Sequence, residues 1–158
     1  MREKIDLFIH YKHLLNFLEK LKELDEELLR KPILPTKWSC IEIIGHFIKW
    51  DELILYERLP FIGSKHPLLT APSTEQTNET SAKLARERSV NVTINEAIAT
   101  RKQLLLKINE LSFHAWEKTI IIEGEVIAFS KYIQKFVEHD LHHMEQIRTF
   151  LKKWDLHI

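Results

Sequence analysis

Leucines 7, 14, 21 and 28 recur every seven residues, with His10, Phe17 and Leu24 three positions further on. A seam of that period suits an α-helix packed lengthwise against other helices and no other regular structure. It predicts a first long helix running to about Arg30. Lys31-Pro32-Ile33-Leu34-Pro35 cannot extend it, because each proline lacks an amide donor and disfavours a helical residue before it. Ser39 and Glu42 then form a capping box, with Trp38 and Ile43 as the matching hydrophobic staple. The second helix should run to about Arg58 with Ile43, Phe47, Trp50 and Ile54 on its apolar side. Thr93 and Glu96 predict a second capping box, opening a third helix that carries Ile94, Ala97, Ile98, Leu104, Leu105, Ile108 and Leu111. Residues 59–92 read as a long connection with a short helix around Ser81–Arg88. Two β-branched runs around Glu123-Gly124 allow a short hairpin. Ser130 is the expected cap of a fourth helix. Only three glycines and five prolines occur in 158 residues, so the expected fold is all-α: a four-helix bundle in one domain over residues 1–158, with a long connection between helices 2 and 3 and a hairpin before helix 4.

Charge narrows the function. Lysine plus arginine equal aspartate plus glutamate at 23 each, so no net field draws the chain to nucleic acid or to an anionic membrane. No apolar run approaches the roughly 18 residues of a membrane helix. A lone cysteine, Cys40, cannot form an internal disulfide and suits a reducing compartment, so the expected location is the cytoplasm and Cys40 is read as a small buried helix residue. Without an export signal, the sequons at Asn78 and Asn91 carry no weight.

The last helix carries the chemistry. His139 and His143 are one turn apart on a stripe shared with Tyr132, Phe136, Met144, Ile147 and Phe150. His142 falls instead among Lys135, Glu138, Glu145, Gln146 and Thr149, a solvated face to which Asp140 is also assigned. Side chains four apart on a helix differ by only about 40° around the axis, so both imidazoles can reach one point. Two histidines so spaced are a common bidentate offer to a metal ion. A third ligand would come from a facing helix. His46, flanked by Ile43 and Trp50, is the best candidate, and His10 on the first seam competes. Gly45 weakens its helix by up to about 1 kcal/mol relative to alanine, which argues that another backbone comes close there. His13, His66, His114 and His157 read as solvated. His139-Asp140-Leu141-His142-His143 has aspartate where a metalloprotease helix has its glutamate base, and little chain follows for a downstream ligand. A di-iron bundle needs Glu-x-x-His, which is absent.

With His46 behind Trp38-Ser39 and a capping box, and His139-x-x-x-His143 followed by Gln146-Ile147 on the last helix, the chain resembles the DinB/YfiT-like superfamily over nearly its whole length. That resemblance implies a four-helix bundle, commonly dimeric, holding one divalent metal on a histidine of the second helix and a spaced pair of the last. Carried to this chain the ligands are His46, His139 and His143. Related proteins include thiol-dependent S-transferases, such as bacillithiol transferases, a mycothiol-dependent isomerase and proteins described as metal-dependent hydrolases. The expectation is therefore a homodimeric enzyme using Zn or Ni, with or without a low-molecular-weight thiol, to act on a small molecule. The other reading is a non-enzymatic bundle that works by association and holds a structural or adventitious metal.

Overall fold

A computed structural model describes residues 2–64, 73–122 and 124–158. Helix α1 spans Arg2–Leu21, α2 Glu26–Arg30, α3 Cys40–Glu52, α4 Thr74–Glu87, α5 Val90–Glu110, α6 Phe113–Trp116 and α7 Phe129–Lys152, with strands β1 at Thr119–Ile122 and β2 at Glu125–Ala128. The four-helix bundle is formed by α1, α3, α5 and α7. Helix α1 packs on α5 and α7, and α3 packs on α5 and α7, so α1 and α3 stand on opposite corners although they are consecutive long helices. The loop between them therefore crosses one end of the bundle. The hairpin is present and antiparallel, with Thr119 opposite Ala128 and Ile122 opposite Glu125. Gly124 takes φ 82°, the left-handed conformation its turn needs. Its neighbour Glu123 lies outside the described residues, as does His66.

Several predicted boundaries move, each for a local reason. The first seam is interrupted at residues 22–25, where Asp25 Oδ1 accepts from the Leu28 amide at 2.9 Å and starts α2 afresh. Leu28 is nevertheless buried, so the seven-residue pattern survives the break. The capping box of α3 is formed as expected, with Ser39 N donating to Glu42 Oε2 at 2.8 Å. Helical backbone does continue to Arg58, but Leu53–Arg58 form a π turn, seen in the Leu59 amide bonding to the Ile54 carbonyl.

The polar run from Ser73, expected in a loop, is most of α4, which opens on its own capping box between Ser73 and Gln76. Its buried face is made of small residues, Ser81, Ala82 and Ala85. An apolar period has little to register there. Helix α5 begins one turn before the predicted box, capped by Ser89. Thr93 is buried and bonds back to the Ser89 carbonyl, and Glu96 pairs with Arg88. Ser130 does not cap α7. Instead the Phe129 amide donates at 2.8 Å to the Lys118 carbonyl, so the hairpin itself holds the helix start.

Among the described residues the interior holds two apolar clusters. One gathers Leu14, Phe17, Phe47, Ile48, Ile94, Ala97, Met144 and Ile147, and the other Leu7, Tyr11, Ile54, Leu104, Ile108, Phe129 and Ile133. On every bundle helix a polar residue falls between the two: His10 on α1, Asp51 on α3, Arg101 on α5 and Asp140 on α7, all buried. Arg101 Nε donates to Asp51 Oδ2 at 2.6 Å, and both its Nη atoms donate to Asp140. His10 Nε2 lies 3.2 Å from Asp140 Oδ2, and the guanidinium stands over the Tyr11 ring. One charged layer thus ties all four helices together at a fixed height. No helix among the described residues is long and apolar enough to cross a membrane.

Candidate metal centre

Gly45 sets the stage for the site. A Cβ there would meet the Ala85 methyl at 2.8 Å and the Ser81 carbonyl oxygen at 3.0 Å. The glycine therefore lets α4 lie directly on α3, as its helix-weakening presence suggested. Close approach brings Asn78 of α4 against His46. On the other flank α7 presents His139 and His143 to the same imidazole.

The three rings converge. His46 Nε2 lies 2.9 Å from His139 Nε2, and His143 Nε2 lies 3.1 Å from His139 Nε2. Their ligand atoms all fall within 4.8 Å of one another, and they form the one group of three or more metal-ligating side chains found among the described residues. Two nitrogens bound at about 2.05 Å to a tetrahedral ion stand about 3.3 Å apart, so the two separations from His139 are within a few tenths of an ångström of a metal site, and the rings would have to adjust to bring His46 and His143 equally close. His46 is buried, 3% exposed, whereas His139 and His143 are partly buried on the flank of the core stripe.

Two of the outward nitrogens have hydrogen-bond partners of opposite kind. His143 Nδ1 lies 2.8 Å from Gln146 Oε1, an atom that can only accept, so Nδ1 carries the proton and Nε2 keeps its lone pair. At His46 the Trp50 indole N–H donates to Nδ1 at 3.0 Å and also reaches Asn78 Oδ1 at 3.3 Å. With Nδ1 accepting from the indole, the His46 proton sits on Nε2 and is donated to His139 Nε2, so taking up a metal there requires that proton to leave Nε2. Burial, joined by the mutual repulsion of the rings, pushes His46 down to about 3 and His139 down to about 4, and burial lowers His143 as well. The cluster is neutral at pH 7, the form that binds metal. Donor type and number fit one divalent ion of the zinc or nickel kind, and two of the three separations lie close to those it needs.

Aromatic rings wall the cluster: Trp38 and Trp50 lie against His46, and Phe47 against His143. On the open side His46 and His139 line a cleft of about 460 Å³, bounded by Trp50, Tyr132 and Phe136. That volume suits a small molecule.

His10 is not part of the cluster; its imidazole is held by Asp140. Asp140, expected on a hydrated face, is 2% exposed and lies directly behind His139 in the charged layer. Burial alone would raise its carboxyl, but Arg101 and His10 hold it below the usual range. Asp51 receives a single bond from Arg101, and burial pushes it up to about 7 against that attraction. The signal for this layer was present: Ile133-Asp140-Met144-Ile147, Ile48-Asp51-Ile54 and Ile98-Arg101-Leu104 each put one charge, of complementary sign, inside an apolar stripe. Gln146, assigned to the solvated face, instead orients His143. Asn78 lay in a stretch without apolar period and gave no signal. His142, His13, His114 and His157 are exposed as expected. Cys40 is buried and its thiol is pushed up to about 12 by burial, an inert core position.

Comparison with known proteins identifies the family and the fold. Residues 10–147 match the profile of the DinB superfamily. Among solved structures the chain is similar to YfiT from Bacillus subtilis, described as a probable metal-dependent hydrolase with an unusual four-helix bundle topology, with TM-score 0.79 and 12% identity over 96% of this chain and 87% of that one. It is also similar to the mycothiol-dependent maleylpyruvate isomerase, with TM-score 0.71 and 13% identity over 92% of this chain but 59% of the isomerase. No curated protein matches it.

Proposed function

The chain belongs to the DinB superfamily, and on that footing we propose that it is a divalent-metal-dependent enzyme of the thiol S-transferase or hydrolase type, with His46, His139 and His143 holding a single Zn or Ni ion. The observation that carries this reading is the convergence of three neutral imidazoles through Nε2, with the outward nitrogen of His143 held by Gln146. Packing alone gives no reason for such a cluster beside an open cleft. When bound, the ion would act as a Lewis acid that lowers the pKa of a coordinated water or thiol, supplying a nucleophile near neutral pH.

The chain's own residues do the rest. Gln146 orients the imidazole of His143, Trp50 with Asn78 behind it orients that of His46, and Trp38, Trp50 and Phe47 exclude water from one side of the cluster. Trp50 and Phe136, their rings 5.9 Å apart, give the cleft an apolar wall against which a small substrate can be positioned. The lone cysteine fits work in the cytoplasm. We take residues 1–158 as one domain and the working unit as a homodimer, with a low-molecular-weight thiol as candidate co-substrate.

The test is metal titration of His46→Ala and His143→Ala. Both should lose stoichiometric metal while keeping their far-UV circular dichroism. Retention of one tightly bound ion by both variants would remove the ligand assignment.

A further inference from the structure

Arg58 is 5% exposed, and among the described residues no carboxylate pairs with it. Its Nε donates to Tyr132 Oη at 3.3 Å and its Nη1 only to the Glu57 carbonyl at 3.4 Å. A guanidinium cannot shed its proton to escape burial, so a buried one calls for an anion. Arg58 lines the same cleft as His46 and His139. Lys135 adds a second positive charge, and no acidic side chain is found among the described lining residues. Ser73 and Thr74 also line it, which turns the N-terminus of α4, its positive end, towards the same space.

The backbone places Arg58 there by a specific device. His46, Trp50 and Leu53 follow one another on the cleft face of α3 at α-helical spacing, and a regular helix would bring Glu57 next. Because Leu53–Arg58 form a π turn, one extra residue is used before the chain returns to that face. Position 58 takes the place of 57: Arg58 is buried and Glu57 exposed. An acidic residue is thereby replaced by a basic one at the far end of the cleft. Tyr132, Arg58's partner, is seven residues from His139 on α7, about 10 Å along the helix axis.

We infer that the cleft binds a substrate bearing a carboxylate, with that carboxylate on Arg58 and Tyr132 and the reacting group about 10 Å away at the three histidines. The placement of the reacting group rests on the metal reading above; the anion preference of Arg58 does not. Two probes separate them, mercaptohexanoate and its neutral counterpart mercaptohexanol, each titrated calorimetrically into zinc-loaded and into chelator-treated protein. The carboxylate should bind the zinc-loaded protein at least about tenfold more tightly than the alcohol, the scale of a charge-assisted hydrogen bond. Arg58→Gln should erase that preference and leave the alcohol's affinity unchanged, while Arg58→Lys, which keeps the charge but not the fork, should retain part of it. Equal affinities in the wild-type protein, no saturable binding of the carboxylate, or a preference that survives Arg58→Gln would each overturn the proposal. The wild-type comparison decides even where a variant fails to fold. If stripping the zinc changes neither probe's affinity, the metal reading falls while the carboxylate preference still decides the role of Arg58.

Discussion

Gly45→Ala probes the contact on which the site's geometry depends. The added methyl gains about 1 kcal/mol of helix propensity in α3. Against this, it would lie 2.8 Å from the Ala85 methyl and 3.0 Å from the Ser81 carbonyl. Both atoms are fixed to the backbone of α4 and have no rotamer by which to retreat, so α4 must move by some tenths of an ångström. Overpacking of that kind costs about 1–3 kcal/mol. The net effect should be a loss of up to about 2 kcal/mol, read from urea unfolding midpoints at constant slope. A double-mutant cycle isolates the cause. Ala85→Gly alone should cost about 1 kcal/mol in helix propensity, but the pair should be at least about 1 kcal/mol more stable than the sum of its parts, because the shorter of the two contacts is removed. As α4 carries Asn78 against Trp50 and His46, Gly45→Ala should also weaken zinc binding. If Gly45→Ala stabilises the protein by the full propensity gain, with additive behaviour in the cycle, α4 does not rest on α3 at this point and the reasoning fails.

Other outcomes follow from the charged layer and from the partners of the histidines. The Asp51 carboxyl is raised from 3.8 to about 7 in the fold, so its share of the stability is complete below the unfolded value and is lost as pH rises through the folded one. Between pH 4 and pH 7 wild type should lose stability relative to Asp51→Asn, with the histidine contributions cancelling in the difference. A difference that stays flat, or that favours wild type as pH rises, would mean that Arg101 keeps Asp51 charged. Asn78→Ala and Gln146→Ala should each weaken zinc binding by about 10- to 100-fold with unchanged circular dichroism; affinities equal to wild type would show that neither side chain orients a ligand. Chelation should lower Tm modestly and reversibly, as loss of a ligand from an already folded bundle does, since the apolar clusters and the charged layer do not involve the ion. Unfolding on chelation would mark the metal as structural.

The legible part of this fold was what depends on period and on caps. The seven-residue seam, the Ser39–Glu42 box and the paired β-branched runs each encode one local structure, and the bundle followed from them. Less legible were elements whose stability comes from what they touch. Helix α4 buries Ser81, Ala82 and Ala85 against Gly45, a face of small residues with no hydrophobic period, and only the glycine hinted at it. The start of α7 is held by Lys118 across the hairpin, a partner no local pattern reveals. The histidine trio could be read because two members share a helix face and the third sits beside a conspicuous glycine. Asp140 was misread because an aspartate is seldom buried unless it is paired and its partner Arg101 lies on another helix, although its positions relative to Ile133, Met144 and Ile147 put it in the core. The π turn that turns Arg58 inward leaves no mark in the side-chain pattern at all.

The central claim is that His46, His139 and His143 hold one ion with a position open to the cleft. Diffraction from zinc-loaded crystals at the zinc edge tests it most directly. The account predicts a single anomalous peak bound by the three Nε2 atoms at about 2.0–2.1 Å, with no fourth protein ligand on the side facing Trp50 and Phe136. An ion bound elsewhere, or one closed off by a fourth side chain, would contradict it.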